Sequence, residues 1–86
     1  MGKFHKTFST DEIFDEEARR AGAPRATVEA TFLFRGPFVP SVLRIEIAWT
    51  RFSVHYHEKH VLALDPGVKA EDAFDLGLDV GRLVAG

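Results

Sequence analysis

Between Val28 and Tyr56, three sets of apolar side chains recur at every second position, a period that extended β-structure converts into a buried face. Val28, Ala30, Phe32 and Phe34 form the first set, in a strand predicted over residues 27–34. Leu43, Ile45, Ile47 and Trp49 form the second, on odd positions, and Phe52, Val54 and Tyr56 follow on even ones. The last two sets lie in one β-rich stretch, residues 42–57, so the phase slips near Thr50 and Arg51. A one-residue slip sends every later side chain to the other face. A tight hairpin there would ordinarily use Gly, Asn or Asp, and the segment has none. The stretch therefore reads as one long strand bent by a β-bulge, in preference to two strands and a turn.

Ahead of the strands, Phe8-Ser9-Thr10-Asp11-Glu12-Ile13 carries coincident helix-start signals. With Ser9 as N-cap, Glu12 falls at N3 to complete a capping box, and Phe8 and Ile13 take the two positions of a hydrophobic staple. Asp11, Glu12 and Asp15 load the positive end of the dipole, Arg19 and Arg20 the negative end, and Gly22 suits the left-handed position after the last turn. These signals predict one helix over residues 10–21, with a thin apolar stripe of Ile13, Phe14, Ala18 and Ala21.

Gly36-Pro37-Phe38-Val39-Pro40-Ser41 reads as a stiff loop, because each proline fixes φ and removes a donor. Residues 61–64 form a short apolar strand closed by Asp65-Pro66-Gly67. After that turn, Ala70, Ala73, Phe74, Gly77, Leu78, Gly81 and Val84 repeat at helical spacing, while Leu76, Leu78 and Val80 alternate. The lack of β-branched residues from Lys69 to Leu76 predicts a helix there. Beyond Gly77 both periods fit.

The order of elements implies an α+β fold: a small antiparallel sheet of three or four strands, with an N-terminal and a C-terminal helix packed on one face. The 86 residues leave room for a single domain, residues 1–86. Cysteine is absent, which excludes disulfides, thiolate zinc sites, iron–sulfur clusters and a cysteine nucleophile. A core this small then rests on packing and, by expectation, on self-association. The net charge of −2 is interspersed along the chain, so neither nucleic acid nor an anionic membrane is expected as a partner. No apolar run reaches the length of a membrane span, and a cytoplasmic protein is the expectation.

His55-Tyr56-His57-Glu58-Lys59-His60 is the main chemical candidate. Residues two apart on a strand point the same way, so His55 and His57 are expected to share a face, with His60 or His5 completing a set for zinc or another divalent transition metal. Simple alternation accounts for the same residues as a solvated face opposite Phe52, Val54 and Tyr56. Glu29 and Glu46 sit inside β segments, where a cross-strand ion pair is the ordinary explanation. Arg44 and Arg51 with Trp49, Phe52 and Tyr56 resemble the parts of a nucleic-acid stacking platform, but the phases place them on different sides.

No motif here specifies a reaction. The expectation is a non-enzymatic interaction module without cofactor, a homodimer or higher oligomer, that engages itself, another protein or a small ligand. Its sheet face or the Phe38 loop would carry the contact, with Phe38, Trp49, Arg44 and Tyr56 as the interaction surface. The alternative is a small metal-dependent or histidine-based enzyme using His55, His57 and His60. Self-association is expected because Leu43, Ile45, Ile47 and Trp49 would occupy one sheet face and Phe32, Phe34, Phe52, Val54 and Tyr56 the other, more than two helices can cover.

Overall fold

The chain runs β1 (Gly2–Phe8), α1 (Thr10–Ile13), α2 (Glu16–Arg20), β2 (Arg25–Phe34), β3 (Ser41–Arg51), β4 (Val54–Leu64) and α3 (Ala70–Ala85) in the computed structural model, which describes residues 2–86. The strands lie in the order β1-β2-β3-β4, each antiparallel to its sequence neighbour. The result is an α+β meander with α1 and α3 against one face of the sheet. β1 is the fourth strand. Its inward side holds Phe4 and Phe8, in register with Phe32 and Val28, and Lys6 lies between them. Only two apolar residues mark it because an edge strand tolerates lysine where an inner one does not.

Register assembles the core. Val28, Ala30 and Phe32 face Ile47, Ile45 and Leu43 across β2 and β3, and all six are essentially free of solvent. Burial of each of these side chains except the small Ala30 contributes about 1.5–3 kcal/mol. α3 closes over them through Ala73, Gly77, Gly81 and Ala85, buried residues four apart that bring the helix backbone onto the sheet. The helical period therefore wins through the whole C-terminal segment, Gly77 and Gly81 included.

Three expectations are corrected. First, the single N-terminal helix is two. Phe14 is extended (φ −114°, ψ 141°), and Asp15 starts α2 by accepting from the Ala18 N–H at 2.7 Å. Ile13 and Phe14 are both buried, which adjacent residues a third of a helical turn apart achieve when the helix breaks between the two segments. The carbonyl freed at Ile13 accepts from Arg82 Nε of α3 at 2.7 Å. The start signals themselves hold: Glu12 accepts from the Ser9 N–H at 2.9 Å, Phe8 and Ile13 are buried, and Gly22 takes φ +90° after α2.

Second, the phase slip is a turn and not a bulge. Phe52 and Ser53 both adopt left-handed backbone (φ 51° and 64°) and connect β3 to β4 as a hairpin. Left-handed geometry matches the twist of the flanking strands, and the continuous ladder from Arg51↔Val54 to Ser41↔Leu64 holds it despite the side chains.

Third, the turn reverses the face assignment. Odd residues of β3 face even residues of β4, so Trp49 meets Tyr56 and Leu43 meets Leu62 on the helix side. Phe32 joins them opposite Leu43. Both apolar sets thus occupy one face, and the argument for a second large apolar face does not hold. The other face carries no helix and is mainly polar, as expected of a sheet solvated on one side.

Candidate functional site

Alternation divides the histidines. His55 and His57 lie on the open face, His60 on the helix side, because 57 and 60 differ by an odd number. Thr50 Oγ1 contacts His55 Nδ1 at 3.0 Å, whereas His60 Nε2 pairs with Glu58 Oε2 at 3.1 Å. His5, also on the open face, is separated from β4 by two intervening strands and lies beside Thr31 Oγ1 at 3.1 Å. The set His55, His57 and His60 therefore does not converge, and among the described residues no group of three ligands gathers for a metal ion.

The four residues expected to form one interaction surface are also separated. Trp49 and Tyr56 stack at 5.2 Å between ring centroids with an 11° interplanar angle, on the helix side near the β3–β4 turn. Arg44 lies on the open face opposite Thr31 and Val61. Phe38 lies at the other end of the sheet, in the β2–β3 loop, roughly 30 Å from the hairpin turn along β3. Glu29 and Glu46, read as members of ion pairs, are instead register partners of one another, with Lys59 next to Glu46.

Two surface features stand out, one at each end of the sheet. At the Phe38 end, Gly36 (φ +107°), Pro37 and Pro40 present Phe38 to solvent at 88 % exposure, with Val39 beside it. Next to this loop is an apolar groove of about 380 Å³ lined by Phe4, Phe32, Phe34, Pro37 and Val68, open where α3 begins. Phe4 and Phe32 stack across its floor at 6.1 Å. At the hairpin end lies a hollow of about 550 Å³, lined by open-face residues of β2, β3 and β4 and, from the helix side, by Ser9, Thr10, Ala26, Trp49 and Tyr56. Small residues form its floor, since Thr27, Ala48 and Thr50 separate Arg25 from His55 and His57. Sequence reasoning missed Phe4 and Arg25. Phe4 was legible as the partner of Phe8 at an even spacing, but Arg25 acquires its setting only from strand register.

Among the described residues no helix is long and apolar enough to cross a membrane. Comparison of the chain with protein-family models, with curated proteins and with solved structures gives no match.

Proposed function

We propose that the chain is a non-enzymatic interaction module that self-associates through the end of the sheet carrying Phe38. The observation that carries this reading is the juxtaposition of an exposed aromatic knob with an aromatic groove on one surface. A two-fold axis placed between knob and groove seats Phe38 of each copy in the groove of the other, the isologous arrangement that closes a dimer. Burying Phe38 is worth about 1.5–3 kcal/mol per copy, with Val39, Phe4 and Leu33 adding exposed apolar area at the same end. Charge also suits a second copy. Lys3, Arg35 and Lys69 are balanced there by Asp65, Glu71 and Asp72, so two such ends do not repel. The acidic surface of α1 and α2, with Asp11, Glu12, Asp15, Glu16 and Glu17, lacks that balance.

Sedimentation equilibrium over about 1–100 μM, a range that registers association near −8 kcal/mol, tests the reading. A dimer is expected, Phe38→Asp should be monomeric, and Phe52→Asp at the opposite end should remain dimeric. A wild-type monomer throughout that range, or a dimer indifferent to Phe38→Asp, overturns it.

A further inference from the structure

We propose that the hollow at the hairpin end of the sheet binds a phosphoryl-type oxyanion, free or as a phosphomonoester, on its open-face wall. Arg25, Thr27, Thr50, His55 and His57 supply the polar side chains of its open-face wall, with Ser9 and Tyr56 on the helix side, and no carboxylate is among the lining residues, in a chain with thirteen Asp and Glu. The guanidinium donates, the hydroxyls donate or accept, and each imidazole donates through the nitrogen that carries a proton. Thr10 also borders the hollow, but its hydroxyl is already engaged with the Ala26 N–H at 2.9 Å and the Ala26 carbonyl at 3.0 Å.

Strand register holds the donors together. Arg25, Thr50 and His55 form one row across β2, β3 and β4, and Thr27, Ala48 and His57 form the next. Adjacent strands stand about 4.8 Å apart, so Arg25 and His55 flank Thr50 at a backbone separation near 10 Å, a span that a tetrahedral oxyanion bridges with side chains closing from both sides. The Thr50 contact at His55 Nδ1 orients that ring and leaves Nε2 without a protein partner among the described residues. Arg25 has no carboxylate within ion-pair distance there either. A guanidinium with free N–H groups matches phosphate in geometry as well as charge.

The wider face favours the same ligand. Lys3, Arg25, Arg44 and Lys59 oppose only Glu29 and Glu46 on the open face, whereas the acidic residues concentrate in the helices behind it. Glu29 and Glu46 lie one row beyond the hollow, with Lys59 beside Glu46. Trp49 and Tyr56 reach the hollow from the helix side and stack on each other at 5.2 Å, so each has one ring face already covered. A compact phosphoryl group fits better than a nucleic-acid strand.

The test titrates the isotope-labelled full chain with inorganic phosphate and with methyl phosphate, at constant ionic strength held by sodium chloride. Saturable shifts confined to the amides of Arg25, Thr27, Thr50, His55 and His57 are expected. Arg25→Gln should weaken binding about tenfold, while Arg44→Gln, the same charge change on the same face, should alter it less than about twofold. Phe38→Asp should leave it unchanged, which separates this site from the association surface. Tighter binding of methyl phosphate identifies an ester as the natural form, and equal binding identifies the free anion. The proposal is overturned if chloride alone reproduces the shifts or if the two arginine variants weaken binding equally. It is also overturned if a single-stranded oligonucleotide outcompetes phosphate with shifts spread over Lys3, Arg44 and Lys59.

Discussion

Gly81 on α3 lies so close to Val28 on β2 that a Cβ built on the glycine would stand 2.3 Å from Val28 Cγ2. Val28 is wholly buried and β-branched, so it has little freedom to yield. Gly77, one turn earlier, would place a Cβ 3.3 Å from that of Ala30, a tight contact but not a clash.

Gly81→Ala is therefore expected to destabilise the fold by about 1–2 kcal/mol, because overpacking outweighs the gain in helix propensity of roughly 1 kcal/mol. Gly77→Ala should stay within about 1 kcal/mol of the parent, since propensity and crowding nearly cancel. Urea midpoints compare the two variants. Equal midpoints would mean that α3 stands off the sheet evenly at both positions.

The β3–β4 turn holds two non-glycine residues in left-handed backbone, and Phe52 is 91 % exposed, so its side chain gains little there in return. Replacing Phe52-Ser53 by Asn-Gly should raise stability by about 1–2 kcal/mol. Thermal melts read this directly. A variant that melts lower would show that the turn side chains contribute contacts outweighing their backbone strain.

Caps and core separate at the start of the first helix. Ser9→Ala and Asp15→Ala should each cost about 1 kcal/mol, since each side chain serves one short helix start. Phe8→Ala should cost about 3–5 kcal/mol, because Phe8 is both the staple and the buried end of β1. Comparable losses for all three in denaturant melts would place Phe8 outside the core.

Glu29 and Glu46 face each other across β2 and β3. Glu29→Gln removes a like-charge cross-strand pair and should stabilise by about 0.2–1 kcal/mol. The gain should shrink in molar salt, where charges on an exposed sheet face are screened. A salt-independent effect would point to packing as its source.

Local chemistry determined a good part of this protein in advance. Ser9, Glu12, Phe8 and Ile13 mark a helix start that needs no distant partner, and the alternating sets mark strands, because caps and periods act between near neighbours. The α+β class and the stiff loop around Phe38 followed from the same short-range rules, whereas the exposure of Phe38 itself did not.

Tertiary structure decided what depends on pairing. The slip at Phe52 and Ser53 became a turn because an eleven-residue strand on each side outweighs two unfavourable backbone conformations. That turn placed Trp49 against Tyr56 and Thr50 against His55, and the β2–β3 register added Arg25 to the same row. Gly77 and Gly81 became contact points only once α3 met β2 and β3. A residue's face is a two-valued property inherited through every turn before it, so one turn read as a bulge reassigns all that follows.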